Sequence, residues 1–372
     1  MSKHHGKFGN NMDGFNNIYK GKTILVTGHT GFKGSWLSIW LNELGANVIG
    51  YALDPYTEND NFVLSGIKDK IVDIRGDIRN IVNLREVFKK YKPEIVFHLA
   101  AQPLVRLSYE IPAETYEVNV MGTINVLECI RETNETKIGI MITTDKCYDN
   151  KEHIWGYREN ESFGGYDPYS SSKGAAEIAI NSWRSSFFNV KDYETHGKSI
   201  ASVRAGNVIG GGDWAKDRII PDCINALELG NAIEIRSPHS IRPWEHVLEP
   251  LSGYLLLGEK MLENPTKYAE GWNFGPTLDS IVEVKDIAEK VVKYYGNGEI
   301  KDISNPNELH EAKLLALDIS KARFLLGWKP TLDIEETIEM TVEWYKKYKT
   351  ENVYELCKNQ IQKFNNKGNG IK

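Results

Sequence analysis

Thr23-Ile-Leu-Val-Thr-Gly28-His-Thr-Gly31-Phe-Lys-Gly34-Ser-Trp36 decides how the rest of the chain is read. A short β-prone run ends in a glycine, as a buried parallel strand would. Glycines then recur with GxxGxxG spacing. Trp36, Leu37, Trp40, Leu41 and Leu44 follow at helical intervals, and Gly45 stops them. Strand, glycine turn and helix in that order make a cradle for a pyrophosphate. The glycines allow a tight turn and close backbone approach, and the helix N-terminus offers N–H donors and a favourable dipole. A glycine triplet alone is weak evidence; in this setting it is strong, and a turn without a ligand is the lesser alternative. Gly28, Thr30, Gly31, Phe32, Lys33 and Gly34 are its candidate contacts.

Outward from this loop the β-α-β rhythm persists. The pattern predicts strands at 47–53, 71–74, 94–99, 138–143 and 199–204, and helices at 81–91, 112–131 and 171–188. The fold class is α/β, a Rossmann-type doubly wound parallel sheet over 21–204. After Arg204 the rhythm breaks at Gly210-Gly-Gly212, Pro238, Pro243 and Pro276. Residues 205–372 are expected to form mainly a smaller, mixed α/β lobe that binds substrate. One helix, 248–262, is expected to return to the first lobe.

The bulk composition narrows the function. With 41% hydrophobic and 26% charged residues, the 372-residue chain is globular and long enough for two packed lobes. Its net charge of -6, without a basic block, argues against nucleic acid as a partner. Cys129, Cys147, Cys223 and Cys357 are scattered, which favours a reducing cytoplasm over a disulfide or zinc framework. No stretch reads as a signal peptide or a membrane span. Residues 1–20 are expected to be a loose extension, with His4 and His5 part of that tail rather than metal ligands.

Further candidates line the sheet's carboxyl edge. Asp54, the only acid at the end of the second strand, is the candidate for the ribose hydroxyls. With no arginine beside it to meet a 2′-phosphate, NAD is favoured over NADP. Asp77 and Ile78 follow the third strand, where they could touch adenine; a plain helix cap is the other reading of Asp77. Leu99, Ala100, Ala101 and Gln102 close the fourth strand. Asn119 lies in the long helix, and Thr143 and Thr144 end the fifth strand.

Tyr169-Ser-Ser-Ser-Lys173 opens a helix with YxxxK spacing, so both side chains share one face. A tyrosine of pKa near 10 is a poor base at neutral pH. A nearby ammonium and an oxidised nicotinamide would favour the phenolate, about three units being worth roughly 4 kcal/mol. Set among these other features, the first two hundred residues resemble an extended short-chain dehydrogenase/reductase. That resemblance implies Thr144, Tyr169 and Lys173 as the hydride-transfer triad, with Tyr169 as base.

Thr143-Thr-Asp-Lys-Cys-Tyr148 is more discriminating. A simple epimerase needs no ionisable pair after the catalytic threonine. Loss of a 6-hydroxyl from a 4-keto sugar needs an acid and a base close together. The nucleotide-hexose 4,6-dehydratases carry Thr-Asp-Glu here in their dTDP-glucose branch. The Thr-Asp-Lys form is similar to the CDP-glucose branch, as are Ala101-Gln-Pro-Leu-Val-Arg106, Trp155-Gly-Tyr-Arg-Glu-Asn160, Gly211-Gly-Asp-Trp214 and Ile241-Arg-Pro-Trp-Glu-His246.

The resemblance implies CDP-glucose as substrate, NAD recycled within each turnover, and Asp145 as the acid. It leaves Lys146 either a neutral base at C5 or a charged partner that orients Asp145. Asn207, Arg218 and Arg242 would bind the nucleotide diphosphate, forked guanidinium groups suiting phosphate, with Asp213 and Trp214 lining the same pocket and Arg106 also binding the substrate. Aromatics in 155–169 would form walls beside the sugar. It implies a homodimer paired through the helices from Pro112 and Ser171, a tetramer being the larger alternative. It also implies a place in deoxyhexose synthesis for surface polysaccharide. Another hexose dehydratase, a 4-epimerase or a non-enzymatic NAD sensor are the competing readings, the last disfavoured by the presence of both Tyr169 and Lys173.

Overall fold

The computed structural model describes residues 15–277, 280–304 and 314–368. Residues 1–14, with His4 and His5, lie outside the described residues.

Six strands follow the apolar runs: β1 (Thr23–Thr27), β2 (Asn47–Ala52), β3 (Val72–Arg75), β4 (Ile95–His98), β5 (Ile138–Ile142) and β6 (Ser199–Ala205). They pair in parallel in the order β3-β2-β1-β4-β5-β6, so the order reverses between β1 and β4. In such sheets, ligands bind in the crevice at that reversal.

Helix α1 (Phe32–Glu43) buries Trp36, Leu37, Ile39, Trp40 and Leu41 together. Apolar residues all round a helix mean partners on every side. Helix α2 (Ile81–Tyr91) is capped by Asn80, whose side chain accepts the N–H of Asn83. Helix α3 (112–132) is interrupted by a π-helical turn at Glu117–Met121. Helix α4 (Pro168–Ser186) starts sharply: Asp167 caps the N–H of Ser170 and proline occupies the first turn.

The second half is mixed. It contains β7 (Asn207–Ile209), α5 (Ile219–Glu228), β8 (Ile233–Ile235), β9 (Ile241–His246), α6 (Leu248–Glu263), β10 (Gly271–Phe274), β11 (Ile281–Glu283), α7 (Val284–Tyr295), β12 (Ile300–Asp302), α8 (Ile334–Lys347) and α9 (Val353–Gly368). Strands β7, β9 and β11 form one small sheet; β8 and β12 pair in another. The division at residue 204 is not clean. Helix α6 packs on β5 and β6, α9 packs on α1, and β10 pairs with β6 as the seventh parallel strand of the main sheet.

The loose extension expected over residues 1–20 does not hold for its last part. Tyr19 is 1% exposed and its hydroxyl donates to the Leu255 carbonyl, while Phe15 meets the Trp40 ring. The apolar side chains of Phe15, Ile18 and Tyr19 pack into the core that includes α1 and α6, which their polar neighbours in sequence concealed.

Candidate active site

The cradle is built as its glycines require. Gly28 adopts φ +75°, and a Cβ there would lie 2.7 Å from the Ala100 nitrogen. A Cβ on Gly34 would lie 2.0 Å from the Gly28 carbonyl oxygen. At the start of α1, the cap residue Gly31 offers no side-chain acceptor, so the N–H groups of Phe32 and Lys33 face the loop uncapped. Thr30 donates to the Leu53 carbonyl at 3.0 Å, fixing the loop to the end of β2. Leu99 and Ala100 donate to the Thr27 carbonyl and hydroxyl across the switch point.

Asn119 sits in the π turn and clamps the end of β4. Its amide donates to the Gln102 carbonyl and the Ser172 hydroxyl, and its oxygen accepts the Gln102 N–H at 2.8 Å. The Gln102 side chain is spent on its own turn, accepting the Leu104 N–H and donating to Thr115. Ala101, between them, is half-buried at the same strand end.

At the adenosine end, one premise fails. Arg75, at the end of β3, reaches Asp54 at 3.3 Å and also pairs with Asp73 at 2.9 Å. The neighbour is supplied by strand pairing, not by sequence. Two carboxylates balance this guanidinium, and the Asp54 side chain is 87% exposed. Asp77 does not cap α2, which Asn80 does; it grips Arg79, whose hydrogen bonds hold its carboxyl below the usual range. Ile78 is buried beside it.

The chemistry gathers beyond β5. The Thr144 hydroxyl donates to Asp145 Oδ1 at 2.9 Å and also meets the Tyr169 phenol. Asp145 is 2% exposed, and its Oδ2 has no hydrogen-bond partner among the described residues. Lys146 is half-buried in the next turn.

Tyr169 behaves otherwise than expected. Burial pushes its phenol up to about 12, with Asp145 adding to the rise and Thr144 and Arg218 opposing it. Lys173 does not counter this. Its ammonium lies 3.4 Å from the Ile142 carbonyl, and burial, then Lys33, lowers it to about 8. In the chain alone, burial therefore favours the neutral phenol.

The expected substrate ligands are dispersed, Arg106 in the first half and the others in the second. Arg218 donates to Asp213 Oδ2 at 2.7 Å, and that carboxylate raises its pKa further. Arg242 is buried in β9, and Asn207 opens β7. Arg106 approaches Asp217 at 3.8 Å. Trp214 is turned aside: its ring packs edge-on against Tyr345 and Tyr348. Thr143 is likewise committed elsewhere, its hydroxyl donating to Glu177 at 2.5 Å. Trp155 is 62% exposed, with His153 stacked on it.

Several participants escaped the sequence reading. Glu177 shares the α4 face of Tyr169 and Lys173, and binds Arg204. His98 bridges Thr27 and Thr123, and burial with Lys173 lowers it to about 3, so it is neutral. Glu245 lies buried near Lys33 and Asp145. The i+8 spacing could have revealed Glu177; the other two depend on contacts between distant segments.

Comparison with known proteins gives the family and the fold. The family described as GDP-mannose 4,6 dehydratase matches residues 25–341. A CDP-glucose 4,6-dehydratase from Salmonella typhimurium is 53% identical over 89% of this chain and 92% of its own length. Among solved structures, an epimerase from Methanothermobacter thermautotrophicus superposes with a TM-score of 0.74 at 24% identity, covering 94% of this chain and 97% of its own. A dTDP-glucose 4,6-dehydratase from Bacillus anthracis, solved with NAD, gives 0.71 at 22%, covering 88% and 97%. At such identities the structures speak to the fold, whereas the family match spans most of the chain. The chain belongs to the GDP-mannose 4,6 dehydratase family.

Proposed function

We propose that this chain is an NAD-dependent hydro-lyase that converts CDP-glucose to CDP-4-dehydro-6-deoxyglucose. The observation that carries the reading is 53% identity to a CDP-glucose 4,6-dehydratase, in a chain that sets Asp145 and Lys146 directly after Thr144 and beside Tyr169.

The uncapped start of α1 and the glycine cradle fit a dinucleotide pyrophosphate, with Asp54, Asp77, Ile78 and the 99–102 strand end along its length. Arg75 is neutralised by Asp54 and Asp73, so the balance at the ribose still favours NAD over its 2′-phosphorylated form. When bound, NAD would supply the positive charge that Tyr169 lacks, take the hydride from C4 and later return it to C6. Tyr169 removes the 4-hydroxyl proton, with Thr144 hydrogen-bonded to the same centre. Asp145 protonates the 6-hydroxyl as it leaves while a base takes the C5 proton, so one water is lost overall. Lys146 serves either as that base in neutral form, or as the charge that orients Asp145 and steadies the enolate. A proton is restored at C5 as hydride reaches C6. Arg218 and Arg242, with Asn207, are assigned to the diphosphate, Asp213 to the lining of the same pocket and Arg106 to the substrate.

We also infer a homodimer. Tyr116, Met121 and Ile178 stand exposed on α3 and α4, where soluble surfaces seldom gather large apolar groups. A monomer by light scattering would refute it. The product's chemistry suits deoxyhexose supply to a surface polysaccharide.

The deciding experiment incubates the protein with NAD and CDP-, dTDP-, UDP- or GDP-glucose and reads the alkali-dependent ultraviolet absorbance of a 4-keto-6-deoxy sugar. Product from CDP-glucose alone is expected. Turnover of another nucleotide moves the base assignment, and an epimer without water loss overturns the roles of Asp145 and Lys146.

A further inference from the structure

The chain leaves β7 through Gly210-Gly-Gly-Asp-Trp214, a loop laid against helix α8. A Cβ on Gly211 would lie 1.9 Å from Trp344 Cγ, and Gly212 adopts φ +79°. Close backbone approach is what these glycines permit. Three donors then hold the loop by its carbonyls. The Trp36 indole donates to Gly211 at 2.9 Å, and the Asn61 N–H to Gly212 at 3.3 Å. The Tyr345 hydroxyl, on a side chain buried in α8, donates to the Asp213 carbonyl at 2.6 Å.

With its backbone fixed in this way, Asp213 turns its carboxylate to the segment that follows. One oxygen accepts the Ala215 N–H at 3.2 Å, and the other accepts Arg218 Nη1 at 2.7 Å. A guanidinium has five N–H groups, so this contact leaves donors for a phosphate. Arg218 is the residue just before α5. Helix α8 also grips α5 at its far end. Tyr348, which ends α8, donates its hydroxyl to Glu228 at 3.0 Å, and Lys349 pairs with the same carboxylate at 2.9 Å. Tyr345 and Tyr348, three residues apart, thus share a face that spans the segment from Asp213 to Glu228.

We propose that Tyr345 is a positioning residue for the nucleotide diphosphate: by fixing Asp213 it sets the direction in which Arg218 presents its fork. This rests on the assignment of Arg218 made above. Without the hydroxyl, the Asp213 carbonyl loses its donor, and the loop must be ordered when the ligand binds, which lowers affinity.

Full-length Tyr345→Phe and Tyr348→Phe are compared with wild type by calorimetric titration with CDP, dTDP, UDP and GDP, and separately with NAD. The diphosphate is common to all four nucleotides. Whichever of them the wild type binds, Y345F should bind about tenfold more weakly, the size of one lost buried hydrogen bond. NAD affinity should not move, and KM for the nucleotide sugar should rise while kcat holds. Y348F, which loses a hydroxyl from the same helix face, should bind as wild type. In a D213A background Y345F should add no further loss, because the carboxylate it positions is gone. Unchanged nucleotide affinity in a folded Y345F overturns the proposal, as does an equal loss in Y348F or a full further loss in D213A/Y345F. If R218M binds the nucleotide as wild type, the assignment of Arg218 falls and the role of Tyr345 with it. If R218M binds weakly and Y345F normally, only the role of Tyr345 falls. A wild type that binds the nucleotide without forming a 4-keto-6-deoxy sugar refutes the reaction proposed above, and the binding series still decides for Tyr345.

Discussion

Glu177 accepts Arg204 Nε at 2.8 Å on one oxygen and Nη2 at 2.9 Å on the other, with both side chains at most 2% exposed. The same carboxylate receives the Thr143 hydroxyl, so it ties α4, β5 and β6 together just behind Tyr169 and Lys173. Removing one partner of a buried, bidentate pair strands the other charge. Glu177→Ala should therefore lower unfolding stability by about 3–5 kcal/mol, read from denaturant midpoints. Glu177→Gln, which keeps a hydrogen-bonding oxygen, should lose less.

Gly34→Ala places a methyl 2.0 Å from the Gly28 carbonyl oxygen, where only backbone can give way. The loop or the first turn of α1 must shift. Overpacking of this kind costs roughly 1–3 kcal/mol or more. A lower melting temperature and weaker NAD binding, both measured on the purified variant, are the expected pair of effects. Gly31→Ala meets only the Gly28 oxygen, at 3.4 Å, and should be milder.

Lys146→Ala should leave oxidation at C4 in place while slowing elimination. If Lys146 is the base, solvent deuterium enters at C5 far more slowly; an unchanged rate of incorporation sinks that role and leaves it as Asp145's partner. Mass spectrometry over the time course in D2O reads that rate.

Glu249 gives a pH signature in stability. Burial raises its carboxyl to about 7, although the N–H groups of Thr331 and Leu332 pull it down. A carboxyl raised on folding binds its proton more tightly in the native state. Its contribution is fully present below the ordinary carboxylate pKa near 4.5 and is lost as pH rises through about 7. Thermal melts from pH 5 to 8 should show this decline, and Glu249→Gln should flatten it.

Much of this architecture was legible before any coordinates. Strands β1, β4 and β5 announced themselves because parallel strands buried on both faces read as apolar runs, while β3, exposed at both ends, showed only alternation. The YxxxK spacing and its helix were equally plain, since Asp167 and Pro168 start α4 by local chemistry. What stayed hidden is non-local. Strand β10 is four residues long and exists by virtue of its pairing with β6. Arg75 finds Asp54 through strand register, and no periodicity marks the π turn that carries Asn119. The high pKa of Tyr169 reflects burial, which spacing does not disclose.

The position of β10 bears on how the molecule is made. The outer edge of β6 is covered by residues 271–274, and α6, which packs on β5 and β6, spans Leu248–Glu263. During synthesis, roughly the first two hundred residues emerge with that edge bare and apolar faces uncovered, a state prone to pairing with other chains. The nucleotide-binding half therefore cannot finish ahead of the rest. A fragment ending at residue 204 would be an aggregating intermediate rather than an autonomous domain, and the protein must ripen as one cooperative unit.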